Sequence, residues 1–113
     1  ENYGIIQKFS MVQFYDYTKV YKRALKFIND ELPRNYHITY SLNEDNHAHA
    51  FEVLRNGGNI SAVFRKEVPK KYNGFRVIDA DETDLRFTDP LNVICGLKAK
   101  GLARTDYSGF VLN

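Results

Sequence analysis

The sequence predicts an α/β domain: a parallel β-α-β-α-β core followed by a short β-rich C-terminal extension. Three observations predict it. Dense apolar and aromatic runs at residues 9–15, 36–41 and 60–64 read as buried strands. Between them, residues 20–28 carry apolar side chains at helical spacing, and a second helix fits between a cap at Asn43 or Asp45 and a stop after Asn56. Finally, each apolar run ends in a burst of polar groups: Tyr15-Asp16-Tyr17-Thr18-Lys19, Ser41-Leu42-Asn43-Glu44 and Arg65-Lys66. Strands joined by helical crossovers run parallel. The three bursts therefore meet at one sheet edge, where open α/β folds hold their ligands.

In order along the chain, residues 9–15 form the first strand, and Thr18 is placed to cap the helix that follows. In that helix Val20, Tyr21, Ala24, Leu25, Phe27 and Ile28 share one face and Lys22, Arg23 and Lys26 the other. Leu32-Pro33 stops it, because proline lacks an amide hydrogen and disfavours helix in the residue before it. The β-branched and aromatic run 36–41 is the second strand. Asn43 or Asp45 caps the second helix, and Gly57-Gly58 supplies its left-handed stop. Residues 60–64 are the third strand. Residues 66–74 read as an exposed loop. The apolar runs 75–78, 85–87, 93–97 and 110–112 either extend the sheet or make a small antiparallel addition.

The chain has 113 residues, enough for one domain with one core, whether or not it is a piece of a longer protein. Sixteen Lys and Arg against fourteen Asp and Glu leave it near neutral, so charge alone demands no nucleic acid, membrane or acidic substrate. Single Cys95 closes no internal disulfide, and its neighbours Val93 and Ile94 imply a buried thiol. That favours a cytoplasmic setting, and no apolar stretch is long enough to span a membrane.

Each cluster of candidate residues has a structural and a functional reading. Asp16, Tyr17, Thr18 and Lys19 bring a carboxylate, a phenol, a hydroxyl and an ammonium to one strand end beside free helix amides, a combination suited to an anion. The same residues serve equally as a cap, a dipole partner and solvated charge. Ser41 and Glu44 offer ligand groups or a capping box, and Arg65 offers charge neutralisation or ordinary surface. Lys98, Lys100 and Arg104, with Tyr107 and Phe110 downstream, suit a phosphate backbone and a stacked base. Asp79, Asp81 and Asp84 place oxygen ligands where a hard cation such as Mg²⁺ or Ca²⁺ would fit, though the glycine and closing glutamate of an EF-hand loop are missing. More simply, these carboxylates cap turns and pair with Arg76 and Arg86. His47 and His49 lie two apart and point to different helix faces, which excludes a shared i, i+4 metal site.

Two resemblances add to this reading. Val77-Ile78-Asp79-Ala80-Asp81-Glu82-Thr83-Asp84 resembles the first motif of haloacid-dehalogenase-type phosphotransferases. That resemblance implies Asp79 as nucleophile and Asp81 as proton carrier, with Mg²⁺ neutralising charge. Only some thirty residues follow it, and Asp89-Pro90 interrupts them. The strings QFYDYTK at 13–19, NYHITYSLNE at 35–44, VIDADETDLRFTDP at 77–90 and GLKAKGLARTDYSGFV at 96–111 resemble the C-terminal part of a group of phage and prophage proteins. Those proteins have a cysteine-rich N-terminal part and look distantly like radical-SAM-type barrels. The resemblance implies half of a β/α barrel or the like, with the strand ends Asp16 to Lys19 and Ser41 to Glu44 facing a substrate or cofactor in a host-cell cytoplasm. This chain has no cysteine cluster, so iron–sulfur or radical chemistry would require residues from elsewhere.

The expectation is a phage-type accessory domain binding a nucleotide, nucleic acid or other anionic ligand through Asp16, Tyr17, Thr18, Lys19, Ser41, Glu44 and Arg65, with no cofactor held by this chain itself. Two rivals stand beside it. One is a protein-interaction or self-associating module, such as an inhibitor of a host factor, using eight Tyr and eight Phe as anchors. The other is a Mg²⁺-dependent phosphotransferase at Asp79 and Asp81.

Overall fold

The computed structural model of the chain describes residues 3–82 and 85–113. After a short α1 (Gly4–Lys8), the core runs β1 (Phe14–Thr18), α2 (Tyr21–Ile28), β2 (Tyr36–Ser41), α3 (His47–Arg55) and β3 (Ile60–Phe64). Then follow β4 (Lys71–Tyr72), β5 (Phe75–Asp79), a 3-10 turn at Arg86–Thr88, β6 (Ile94–Lys98), a second 3-10 turn at Gly101–Thr105, and β7 (Val111–Leu112). The strands make one sheet in the order β1-β2-β3-β6-β5-β4, with β7 also beside β3. Pairs β1–β2, β2–β3, β3–β6 and β5–β6 are parallel, as two helical crossovers and a longer return require. The sheet stays open, between edge strands β1 and β4, so the half-barrel expectation resolves to an open sheet and no barrel closes.

The extension is part of the same sheet. Strand β6 inserts beside β3, and β5 lies outside it. The only antiparallel pairing among the described strands is β4 with β5, through a turn in which Asn73 and Gly74 both take positive φ (+48° and +84°). That backbone is the two-residue hairpin form for which Asn-Gly is best suited.

Several local expectations need correction. The first strand covers 14–18, not 9–15: Asn35 Nδ2 donates to the carbonyls of Ile6, Phe9 and Val12 at 2.9, 3.1 and 2.9 Å, holding that segment in a folded path that leaves Met11 exposed. Strand β1 instead pairs with β2 from Phe14–Tyr36 to Thr18–Tyr40. Thr18 is therefore a buried strand residue, and its Oγ1 accepts from Val20 N at 3.0 Å without capping α2. Helix α2 ends before Pro33, at Ile28, with Asp30 in the left-handed region at φ +57°. Neither Asn43 nor Asp45 is the residue at the start of α3; Asn46 is, its Nδ2 donating to Ser41 O and its Oδ1 accepting from Asn43 N, both at 2.8 Å. The Ser41–Glu44 capping box does not form, because Ser41 is the last residue of β2. Gly57 does provide the predicted stop, at φ +96°.

The two sheet faces differ. Helices α2 and α3 cover one with Ala24, Ala50, Val53 and Leu54, packed on Tyr40, Ile60, Ala62, Phe64 and Ile94. The other carries a small cluster, Ala80, Val93 and Cys95, packed with Ile78 and Leu97. It is roofed by the irregular segment around Arg86. Among the described residues no helix is long and apolar enough to cross a membrane.

Candidate functional site

The site arises from a change of partner along one side of β3. Its first half pairs with β2 (Tyr40–Ile60, Ser41–Ser61), and its last two residues pair with β7 (Val63–Val111, Phe64–Leu112). Strand β2 leaves through Leu42, whose N–H donates to Ser61 O at 2.8 Å, while β7 enters from Phe110. Between them, at the carboxyl edge on the face without helices, lies a cleft of about 280 Å³ lined by Tyr17, Lys19, Ser41, Leu42, Ser61, Val63, Leu97 and Phe110.

Its lining combines an apolar body with a few polar points. Leu42, Val63, Leu97 and Phe110 form the body. Ser61 Oγ donates to Ser41 Oγ at 3.2 Å, making a hydroxyl pair at its base. Tyr17 supplies a ring and a phenol from the end of β1, and exposed Lys19 supplies the positive charge. Such a surface suits a flat apolar moiety joined to an anion.

Of the seven residues expected at this edge, Tyr17, Lys19 and Ser41 line the cleft. The other four are engaged elsewhere. Asp16 alternates to the opposite side of β1, where Tyr36 Oη donates to its Oδ2 at 3.4 Å. Thr18 is buried. Glu44 sits against the chain at Gly109, where an added Cβ would come within 3.0 Å of the Glu44 Cβ. Arg65 secures the C-terminal segment: its Nε donates to Asn113 Oδ1 at 2.7 Å, its terminal nitrogens to the carbonyls of Arg104 and Asp106, and its guanidinium lies 4.1 Å from the Tyr107 ring centre. Ser61, Val63 and Leu97 were not singled out from sequence, and Phe110 was expected to stack a base beside Lys98, Lys100 and Arg104 but lines this cleft instead. The one available signal was Ser61, a hydroxyl inside the otherwise apolar run Ile60–Phe64.

Beside the cleft's face lies a buried polar group that the sequence did not announce. Arg86 is 1% exposed and pairs through Nη1 with Asp89 Oδ2 at 3.4 Å. Burial opposes its charge, but Asp89, then Cys95 and Tyr17, outweigh that, and its pKa is raised. The Cys95 thiol donates to Asp89 Oδ2 at 3.2 Å. Burial first, and then the Asp89 charge, push its pKa up to about 12, so at neutral pH it keeps its proton and is a poor nucleophile. Arg86 was expected to pair with the carboxylates of the 79–84 segment; its ion pair with Asp89 lies outside that segment.

The acidic segment behaves as turn chemistry in the described residues. Asp79 Oδ1 accepts from Asp81 N at 3.0 Å. Asp81 Oδ2 accepts from Lys98 N at 2.9 Å and its Oδ1 meets Lys100 Nζ at 3.3 Å. The Lys98 amide first, and Lys100 next, hold the Asp81 carboxyl below the usual range. Asp84 lies outside the described residues, among which no three His, Cys, Asp or Glu side chains gather as a metal site. In the basic segment, Lys98 and Arg104 are exposed, and Lys100 is committed to Asp81.

The sequence model of Gene product 88, a phage-type family of unknown function, matches residues 1–113. The chain belongs to the Gene product 88 family. No curated protein and no solved structure matches it. The cleft is thus a feature of a Gene product 88 chain whose chemistry has to be read from its own residues.

Proposed function

We propose that this Gene product 88 chain is a phage accessory domain that binds a small anionic ligand of mononucleotide size in the cleft at its strand C-termini. The observation that carries this reading is the convergence of Tyr17, Lys19 and Ser41, from two strand ends and the β1–α2 connection, on one apolar-bodied cleft with Ser61 at its base. At about 280 Å³ the space lies near the lower end of the roughly 300–1,000 Å³ of ligand sites, which suits one nucleotide better than a dinucleotide. Tyr17 and Phe110 supply ring faces for a base, the serine hydroxyls orient its polar edge, and Lys19 meets a phosphate. Arg65 is occupied by internal carbonyls, so a single phosphate matches the charge better than a triphosphate.

A thermal-shift titration with nucleoside monophosphates tests it. The reading expects a higher melting temperature with thymidine or adenosine monophosphate, a smaller rise for Lys19→Ala, and none for Ser61→Leu, which fills the cleft. No rise with any monophosphate, or an undiminished rise in both variants, overturns it.

The interaction-module reading has its own support in the exposed side chains of Ile5, Phe9, Met11 and Val12, next to edge strand β1. A stable complex or dimer lost in Met11→Ser would favour it. Phosphotransfer at Asp79 and Asp81 has less support, because both carboxylates already accept hydrogen bonds within the acidic turn or from Lys98.

A further inference from the structure

We infer that the ligand class of the cleft is single-stranded nucleic acid, one nucleotide seated beside Tyr17 and Phe110 and the adjoining phosphates carried along α2 by Lys19, Lys22 and Lys26. This rests on the cleft reading above and narrows it. Between Tyr17 and Asn29 the chain carries Lys19, Lys22, Arg23 and Lys26 and no carboxylate. Helix α2 holds these positions outward because its other face is anchored. Ala24 is in the core, Ile28 packs against it, and the Tyr21 ring stacks on His49 at 3.9 Å and meets Tyr40 edge-on at 6.0 Å. Lys22 is exposed and Lys26 partly so, one helical turn or about 6 Å further along the axis. Lys19 joins the two parts across the carboxyl edge of the sheet, since it lines the cleft on the helix-free face and stands two residues before α2, which covers the other face.

Aromatic faces for a base, followed by a run of cations at regular steps, make the arrangement by which proteins hold single strands. An acidic peptide would use the cations but not the ring-lined cleft. Asp30 and Glu31 follow at the far end of α2 and bound the track, so the footprint is about three phosphates. Two other basic groups fit less well. Lys100 is bound to Asp81. Lys70, Lys71 and Arg76 lie on or next to the β4–β5 hairpin at the opposite sheet edge.

Fluorescence anisotropy with a short labelled oligothymidylate, beside thermal shift with thymidine monophosphate, decides the matter. With about three phosphates neutralised, log affinity falls against log salt with a slope near −2, roughly a 20-fold loss for a fourfold rise in salt. Lys22→Ala/Lys26→Ala reduces the slope to about −0.7 and leaves the monophosphate shift unchanged, whereas Lys70→Ala/Lys71→Ala alters neither. An oligonucleotide that binds no tighter than the monophosphate, or a slope unchanged in the α2 variant, overturns the inference while leaving the cleft reading intact. Failure of both probes overturns both.

Discussion

The two faces of the sheet solve burial in different ways. Under α2 and α3, Leu54, Ile60 and Ile94 are fully enclosed by other apolar groups, and the stabilisation comes from area removed from water. The opposite face buries fewer apolar side chains and encloses Arg86, at the start of the 3-10 turn Arg86–Thr88, with Asp89 and Cys95. On that second face, where Ser41 and Ser61 replace aliphatic residues, the cleft opens. The contrast teaches that the helix-covered face holds the fold, while the polar face trades apolar area for orientation-dependent contacts and leaves a ligand-sized gap.

The largest expected effect separates the faces most sharply. Asp89→Ala removes the Asp89 carboxylate from beside the buried Arg86 guanidinium and should lower unfolding stability by about 3–5 kcal/mol in urea denaturation. Replacing both members, as Arg86→Met/Asp89→Leu, should recover most of that loss, because hydrophobic residues can substitute for a buried pair. Leu54→Ala on the helix face should cost about 2–5 kcal/mol by the same measurement, and no partner substitution should rescue it.

A smaller effect is pH-dependent. His37 has a lowered pKa, first because it is buried and also because of Arg86, with Asp89 opposing. The unfolded chain therefore binds the imidazole proton more tightly, so stability is full above about 6.5, the ordinary value, and declines as pH falls below it until the folded-state value is passed. Urea midpoints measured between about pH 7 and 5 should fall in the native protein and fall less in His37→Gln. The smallest effect concerns Thr39, which is fully buried with an Oγ1 that has no hydrogen-bond partner among the described residues. Thr39→Val should be neutral or stabilising by up to about 1 kcal/mol, because it removes a desolvated hydroxyl that gains nothing in return.

Strands β2 and β3 were legible in the sequence because their β-branched and aromatic runs stand between clear turn residues, and both crossovers follow from the intervening helical spacing. The start of β1 was not. Phe9, Met11 and Val12 have the composition of a strand, but their path is set by the side chain of Asn35, more than twenty residues away. The insertion of β6 beside β3 is likewise a long-range pairing that no local pattern encodes. Tyr17, Lys19 and Ser41 come together at one cleft because parallel strands gather their ends. Asp16 and Arg65 share that edge in sequence, but strand alternation turns one away and the C-terminal segment occupies the other. Arg86 read as a partner of the acidic turn and Asp89 only as part of the interrupting Asp89-Pro90, since nothing in 85–89 signals that Arg86 is enclosed.

The central claim is that the cleft beneath Tyr17 and Lys19 is where a ligand sits. Titration of the ¹⁵N-labelled protein with thymidine monophosphate, followed by amide chemical shifts, tests it most directly. The account predicts saturable shifts concentrated at Tyr17, Lys19, Ser41, Ser61 and Phe110. Shifts clustered instead at the groove of about 430 Å³ around Phe27, Arg34 and Tyr36 at the other end of the sheet, or no saturable shifts at all, would contradict it.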